Sequence, residues 1–143
     1  MALSHLFGRS AFSARRGVPV VVACVPGELH DFPARIVADE LEIAGFDVTF
    51  LGTDVAESVL VERLVAIQPR LLALSVTMFF NCDALRRTVA AVRAACPGIA
   101  IAVGGGGLRE CLDPATDFGA DVGSTSPQDL VARLIRGELR PHG

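Results

Sequence analysis

The chain alternates between short apolar runs and amphipathic segments, and this alternation restricts its possible folds more than any other feature. Residues 18–25 read VPVVVACV, a β-branched run typical of a strand buried on both faces, and Pro26-Gly27 ends the run with a turn. The next segment repeats its apolar residues at helical spacing from Pro33 to a stop at Gly45. We therefore predict a strand followed by a helix.

The same unit recurs along the rest of the sequence. Further strands are predicted at 46–52, 71–76, 99–103 and 120–123, and further helices at 56–68, 82–95 and 127–136. Connections of this length imply parallel strands, right-handed crossovers and helices on both faces of the sheet. The predicted fold is therefore α/β: a flavodoxin-like, doubly wound parallel sheet of about five strands in the order 2-1-3-4-5. Residues 18–137 form this domain, with a mobile leader at 1–17 and a tail at 138–143.

Size and composition restrict the function as well. A chain of 143 residues has room for one ordinary domain, and 51% hydrophobic against 20% charged residues predicts that it is compact. The formal net charge of −3 disfavours a nucleic-acid partner. All 13 basic residues are arginines, because the sequence has no lysine, and this excludes Schiff-base and P-loop lysine chemistry.

Apolar runs and cysteines predict the cellular compartment. No segment approaches the roughly 18 uninterrupted apolar residues of a membrane span, and the N-terminal residues do not read as a signal peptide. The four cysteines have none of the CxxC spacings of a zinc or redox site. We therefore predict a cytoplasmic protein with reduced thiols and no membrane partner.

The loop after the first strand carries a histidine at a position suited to ligands. The order 2-1-3-4-5 reverses between strands 1 and 3, which opens a crevice at their carboxyl ends, and His30 lies there between Glu28 and Asp31. A Glu-x-His pair lets the carboxylate accept a proton from one ring nitrogen, so the other nitrogen is free to bind a metal or take a proton. One histidine cannot hold zinc alone, whereas a metal inside a macrocycle needs only an axial ligand. The alternative is a solvated surface histidine.

Two further loops border this crevice. Ser75 and Thr77 end the third strand on one face, where their hydroxyls line a slot beside His30 or, alternatively, bond the local backbone. The fourth strand ends in a run that suits positive φ angles or a ligand lying directly against the backbone: Gly104, Gly105, Gly106 and Gly107. A plain wide turn is the alternative. The run is not a dinucleotide fingerprint, since Arg109 stands in place of the third glycine.

Other functions of this architecture lack their residues in the sequence. A phosphoacceptor receiver domain needs an aspartate at the end of the third strand and a lysine at the end of the last strand, and neither is present. The loop VPGELHDF is not the Ser/Thr-rich phosphate loop of a flavodoxin, and the GxSxG elbow of a hydrolase is missing. Cys82 begins a helix without an adjoining histidine, so we interpret it as a small helix-start residue.

Three separate motifs together resemble the cobalamin-binding domain family. The family signature Asp-x-His-x-x-Gly is matched by ELHDFP at 28–33, and the following Gly-Phe-x-Val-x-x-Leu-Gly strand by GFDVTFLG at 45–52. The later Ser-x-Leu or Ser-x-Thr is matched by Ser75-Val76-Thr77, and the family's Gly-Gly by Gly104-Gly105. Two residues depart from the signature, because Glu28 replaces its aspartate and Pro33 its glycine. The resemblance extends over residues 19–136.

The resemblance implies a cofactor and a role for each site residue. Cobalamin, in its adenosyl, methyl or hydroxo form, is expected to bind with its nucleotide base displaced from cobalt. His30 is then the lower axial ligand and the metal-binding residue, Glu28 orients its ring, and Asp31 and Phe32 belong to the same binding loop. The displaced nucleotide tail is expected to contact Ser75, Thr77 and the backbone of Gly104, Gly105, Gly106 and Gly107.

The implied function is a stand-alone cobalamin-binding module that acts through a partner. Glu28-x-His30 resembles most closely the cobalamin-dependent regulators of the MerR-linked photoreceptor type, so we favour a sensor of light or redox state without catalytic residues of its own. The alternative is the corrinoid carrier subunit of a mutase or methyltransferase. A protein partner or self-association is expected to cover the upper corrin face. A third interpretation is a small-ligand or nucleotide domain without corrin.

Overall fold

The computed structural model describes residues 14–123 and 126–139. Within these ranges, five parallel strands form one sheet: β1 (Pro19–Cys24), β2 (Asp47–Gly52), β3 (Leu71–Ser75), β4 (Ala100–Gly104) and β5 (Val122–Gly123). Their order in the sheet is β2-β1-β3-β4-β5. The predicted fold class, strand order and reversal between β1 and β3 are therefore confirmed.

Helices and short turns connect the strands. The α-helices of the described residues are α1 (Phe32–Ile43), α2 (Glu57–Ile67), α3 (Cys82–Ala95), α4 (Pro114–Phe118) and α5 (Pro127–Ile135). Turns of 3-10 helix follow β3 at Phe79–Asn81 and β4 at Gly106–Leu108. The sequence pattern predicts neither α4 nor these turns, because elements of three to five residues are too short to show apolar periodicity.

Alternate residues of each strand pack on opposite faces of the sheet. Val20 and Val22 of β1 lie in one buried cluster with α1 and α5, whereas Val21 and Ala23 lie in the other with α2 and α3. Because both faces are covered by helices, all four side chains are buried, which explains the unbroken apolar run in the sequence. The loops that follow β1, β3 and β4 meet at the carboxyl edge of the sheet, and this edge carries the candidate site.

Both ends of the described chain contact the domain. The backbone nitrogen of Arg16 donates a hydrogen bond to the Gly45 carbonyl at 2.9 Å. Leu139 is buried, and its carbonyl accepts a hydrogen bond from Arg70 Nε at 3.4 Å. Most of the predicted leader and tail lies outside the described residues, at 1–13 and 140–143. Among the residues that the structure describes, no helix has both the length and the apolar composition that crossing a bilayer requires.

Candidate cofactor-binding site

A fully buried carboxylate organises the loop after β1. Glu28 is 0% exposed, and its Oε1 accepts hydrogen bonds from the backbone nitrogens of Thr77 at 2.7 Å and Met78 at 2.8 Å. The Asn81 side chain donates a third hydrogen bond to the same oxygen at 3.3 Å. These donors all belong to the segment after β3. A buried charge is tolerated only when it is hydrogen-bonded, and here the β3 loop supplies the donors.

The surroundings of Glu28 favour its ionised form. Burial alone raises the pKa of this carboxyl group, because the charged form loses its hydration. Hydrogen bonds from Met78, His30 and Thr77 oppose this effect and outweigh it, so the pKa of Glu28 is lowered overall. The carboxylate is therefore available as a permanent acceptor at neutral pH.

His30 uses one ring nitrogen to contact this carboxylate. Its Nδ1 lies 3.0 Å from Glu28 Oε2, and its backbone nitrogen donates to the same oxygen at 3.3 Å. An ionised carboxylate can only accept, so Nδ1 carries a proton and Nε2 of the neutral ring keeps its lone pair. The His30 side chain is 57% exposed, whereas that of Glu28 is 0% exposed. The pair thus combines a buried orienting group with an accessible nitrogen ligand.

The other two residues predicted in this loop are not joined to the His30 ring. Asp31 precedes α1 and forms an ion pair with Arg35, with 2.9 Å between Oδ2 and Nε. Phe32 is the first residue of α1, and its side chain is 71% exposed. Pro33, which stands in place of the family glycine, lies in the first turn of α1, where a proline fits without loss of a hydrogen bond.

A narrow apolar cavity lies beside β3 and β4, between the sheet and helices α1 and α5. Its volume is about 80 Å³. Ser75, Gly104 and Gly105 line it from the strand ends, and Pro33 and Leu130 line it from the two helices. Most of the other lining residues are apolar. The cavity therefore provides an apolar path into the core at the carboxyl edge of the sheet.

Two hydroxyl groups near this path lack partners. Ser75 Oγ and Thr77 Oγ1 are both buried, and neither forms a hydrogen bond with the residues that the structure describes. Ser75 lines the cavity, whereas Thr77 lies just beyond β3, where its backbone nitrogen binds Glu28. The alternative that these hydroxyls bond the local backbone is therefore not observed. A buried hydroxyl without a partner is costly, and a ligand that supplies one would remove this cost.

The four glycines at the end of β4 differ in their surroundings. No atom of the described residues lies within 4 Å of the position that a Cβ of Gly104 would occupy, so its backbone faces open space. Gly105 has a φ of 114°, and a Cβ there would collide with the Val76 carbonyl. A Cβ on Gly107 would lie 2.7 Å from Val76 Cγ1. Gly106 and Gly107 do not line the cavity, so packing against the β3 loop explains part of the run.

Large apolar side chains are exposed in the same three loops. Leu29 follows β1, Phe79 and Phe80 follow β3, and Leu112 follows β4, with exposed fractions between 67% and 102%. Exposed large apolar side chains are typical of a binding surface when they lie in one region. They follow the carboxyl ends of the same strands as the loop that carries His30.

Two cysteines near the site, the buried Cys24 and the partly buried Cys82, have thiols whose pKa is raised. Burial raises the pKa of the Cys24 thiol to about 11, with a further increase from the nearby Glu28 carboxylate. Cys82 begins α3, and burial raises the pKa of its thiol as well. Thiols that remain protonated are poor nucleophiles, which agrees with the interpretation of Cys82 as a helix-start residue.

Sequence reasoning missed the residues that hold Glu28 in place. Met78 contributes only its backbone nitrogen, which no residue type reveals. Asn81 donates from its side chain, but its position just before α3 gave a weak signal, since asparagine is common before helices for local reasons. The geometry of the β3 loop had to be known to identify either residue.

The fold and the site define a class of protein. A doubly wound sheet with a carboxylate-oriented histidine and an apolar channel at its switch point is a domain built to bind a small molecule. The chain belongs to the B12 binding domain family, whose model matches residues 18–134. The resemblance noted in the sequence is therefore confirmed, and the protein is a cobalamin-binding module.

Known relatives include corrinoid proteins and a transcriptional repressor. The chain is 30% identical over 115 residues to trimethylamine corrinoid protein 2 of Methanosarcina mazei, covering 80% of this chain and 53% of that protein. It is 29% identical over 119 residues to the HTH-type transcriptional repressor CarA of Myxococcus xanthus, covering 83% and 41%. The chain thus spans about half the length of the curated relatives it matches.

A solved structure supports the same family. The crystal structure of a cobalamin-binding protein from Desulfitobacterium hafniense superimposes with a TM-score of 0.75 at 29% sequence identity. The superposition covers 85% of this chain and 59% of that protein.

Proposed function

We propose that this domain binds cobalamin with the nucleotide base displaced, and that His30 Nε2 replaces this base as the lower axial ligand of cobalt. The observation that carries the proposal is the contact between His30 Nδ1 and the buried, ionised Glu28 carboxylate at 3.0 Å. It fixes the tautomer that leaves Nε2 able to donate its lone pair. When bound, cobalamin supplies a cobalt centre that can carry an alkyl group.

The residues beside the cavity fit the displaced nucleotide tail. Ser75 and Thr77 offer buried hydroxyls without partners, which can bond the benzimidazole nitrogen or the sugar. Gly104 leaves open space where any other residue would place a Cβ, so a ligand can approach its backbone closely. The cavity lies between the sheet and helices α1 and α5, so it offers the tail an apolar entry toward the core.

The exposed apolar residues fit the corrin ring. Leu29 precedes His30 in the loop after β1, Phe32 begins α1 two residues after His30, and Phe79 lies in the segment after β3 that binds Glu28. A corrin above His30 would remove their apolar surface from water. Asp31, which pairs with Arg35, contributes to this loop by its position before α1.

We further infer that the domain carries a cobalt-bound methyl group to a partner protein. The similarity to trimethylamine corrinoid proteins over 80% of the chain supports this use. A sensor, which the Glu28-x-His30 motif favours, is the second candidate, because the repressor CarA matches over 83% of the chain. In either use the reacting partner meets the upper face of the corrin, and Glu28 and His30 act from below.

The ligand assignment is tested by titrating the protein with hydroxocobalamin and methylcobalamin. We expect the wild-type protein, produced with ¹⁵N-labelled histidine, to bind both and to show the two-line nitrogen splitting of a labelled imidazole in the electron paramagnetic resonance spectrum of the Co(II) form, rather than the three-line splitting of the cofactor's own base. His30→Ala should lose this signal and most of the affinity. Arg86→Ala, a substitution of an exposed residue on α3, is the matched control and should behave as wild type. An unchanged imidazole signal in His30→Ala would refute the assignment.

A second experiment separates the carrier from the sensor. The adenosyl and methyl forms of the loaded protein are applied to a size-exclusion column in the dark and after illumination. A carrier should elute at the same volume in both conditions, and it should copurify with a methyltransferase subunit. A light-dependent change in elution volume would favour the sensor instead.

A further inference from the structure

The loop after β2 holds the histidine loop through three hydrogen bonds. Asp54 Oδ1 accepts a hydrogen bond from the Gly27 backbone nitrogen at 2.8 Å. The Asp54 backbone nitrogen donates to the Glu28 carbonyl at 2.9 Å. The next residue, Val55, donates from its nitrogen to the Cys24 carbonyl at 3.3 Å. The two-residue segment Gly27-Glu28 is therefore bound at both of its ends, at the Gly27 nitrogen and the Glu28 carbonyl, by the single residue Asp54.

The β3 loop holds the same segment from the other direction. It binds the Glu28 carboxylate through Thr77, Met78 and Asn81. A Cβ on Gly27 would lie 2.8 Å from Asn81 Oδ1, and Gly27 has a φ of 86°. The β3 loop thus fixes the Glu28 side chain, while the β2 loop fixes the Glu28 backbone.

The backbone conformation of Asp54 suits its role as a hydrogen-bond acceptor for Gly27. Its φ is 48°, a left-handed value that glycine adopts most easily and that aspartate and asparagine tolerate better than other residues. In the described ranges, Gln68 is the other non-glycine residue with a positive φ, and it ends α2 with only a local side-chain bond to the Val65 carbonyl. Asp54, in contrast, uses the same conformation to bond a different loop.

We propose that Asp54 is a positioning residue for the cobalt ligand His30, acting through the backbone of the Gly27-Glu28 segment; this inference rests on the proposed function. Loss of its carboxylate frees the Gly27 amide, so the loop samples other arrangements and the His30 ring is presented to cobalt for less of the time. The Glu28 carboxylate keeps its three donors from the β3 loop. The domain therefore stays folded while the ligand becomes less well oriented.

The test compares three variants that separate backbone conformation from hydrogen bonding. Asp54→Gly removes the acceptor but suits the positive φ, whereas Asp54→Asn keeps both an acceptor oxygen and a tolerance of this conformation. Gln68→Gly is the matched control, because it changes a second residue of positive φ at the opposite end of the sheet. Each variant is titrated with hydroxocobalamin, and the nitrogen splitting of its Co(II) form is recorded.

We expect Asp54→Gly to raise the Kd for cobalamin about tenfold, which is about 1.4 kcal/mol, and to reduce the fraction with imidazole bound to cobalt. Asp54→Asn and Gln68→Gly should match the wild type in both measurements, and circular dichroism should show all three folded. Wild-type affinity and splitting in Asp54→Gly would overturn the inference, as would an Asp54→Asn protein as weak as Asp54→Gly. If the wild-type protein itself lacks the splitting, the proposed ligand fails rather than the role of Asp54.

Discussion

Replacing Glu28 by glutamine should separate the stability of the domain from its ability to bind cobalt. In the wild-type protein, Oε1 accepts three hydrogen bonds from the β3 loop, and Oε2 faces the backbone nitrogen and Nδ1 of His30. The amide of Glu28→Gln has one oxygen, which satisfies most donors when it takes the place of Oε1. Its NH₂ group then points at His30.

This exchange reverses the hydrogen bond between the two side chains. Because the amide nitrogen can only donate, His30 Nδ1 has to accept, and the ring proton moves to Nε2. Nε2 then has no lone pair for cobalt. We therefore expect Glu28→Gln to lose imidazole ligation, although the His30 ring keeps its place and its exposed position.

The cost to stability follows from counting the donors that lose their acceptor. Glu28→Gln leaves the His30 backbone nitrogen facing another donor, which costs about 1–3 kcal/mol. Glu28→Ala leaves the three donors of the β3 loop unpaired, at about 1–3 kcal/mol each. Since a domain is stable by only about 5–15 kcal/mol, Glu28→Ala should be close to unfolded. Glu28→Gln is therefore the informative variant.

The assay measures both quantities on the same proteins. The chain has no tryptophan or tyrosine, so urea unfolding of the cobalamin-free protein is followed by far-ultraviolet circular dichroism. The nitrogen splitting of the Co(II) form reports ligation. His30→Ala is the control for complete loss of ligation, and its unfolding free energy shows what the ring's hydrogen bond to the buried Glu28 carboxylate contributes. A Glu28→Gln protein with wild-type splitting and affinity would refute the tautomer argument, and a Glu28→Ala protein of wild-type stability would refute the role of the buried carboxylate.

Three further predictions concern the cavity and the buried thiols. Ser75→Ala should raise the unfolding free energy of the cobalamin-free protein by about 1 kcal/mol, measured by urea unfolding, and should weaken cobalamin binding. The control Thr88→Val also removes a buried unpaired hydroxyl, but on α3, so it should stabilise the protein without affecting binding. Equal cobalamin affinities of the two variants would contradict this prediction. Gly104→Leu should fill the cavity, change stability by less than about 1 kcal/mol and abolish cobalamin binding, as measured by spectral titration; normal binding would show that the tail does not pass there. Folding raises the pKa of Cys24 from 9.0 to about 11, so the contribution of this thiol to stability is present below about pH 9 and is lost between pH 9 and 11. Iodoacetamide at pH 9 should therefore label the partly buried Cys111 before Cys24. The reverse order on peptide mapping would be inconsistent with the raised pKa.

The fold was predictable because its signals are long and repeated. The run from 18 to 25 is apolar throughout since helices cover both faces of β1, and α3 was predicted at its observed bounds, Cys82–Ala95. The fifth strand was located but shorter than expected, at Val122–Gly123. Helix α4 was missed, although its capping residue Asp113 and its terminal Gly119 were both visible in the sequence. Its five residues are too few for a periodic pattern to separate it from a loop.

The site was predictable only where residue type determines chemistry. The spacing of Glu28 and His30 indicated a carboxylate bonded to the ring, and the structure places the two side chains in contact. The sequence held no sign that Glu28 is also the hydrogen-bonding centre of the β3 loop, because most of its donors there are backbone groups. Asp54 was missed for a related reason: its partner is the Gly27 amide, and only the pairing of β1 with β2 brings the two loops together.

In this site one residue orients the histidine ring and another presents the nitrogen ligand, and neither residue distinguishes a carrier from a sensor. Glu28 is 0% exposed and fixes the ring from the protein interior, whereas His30 is more than half exposed and presents its nitrogen at the surface. A carrier and a sensor require the same lower ligand, so substitutions of Glu28, His30 or Asp54 should impair both uses equally. The two uses differ in what meets the upper face of the corrin. Two measurements report on the upper face of the corrin and can therefore distinguish a carrier from a sensor: copurification with a partner and light-dependent elution. His30→Ala, which is expected to lose cobalamin, serves as the control in both.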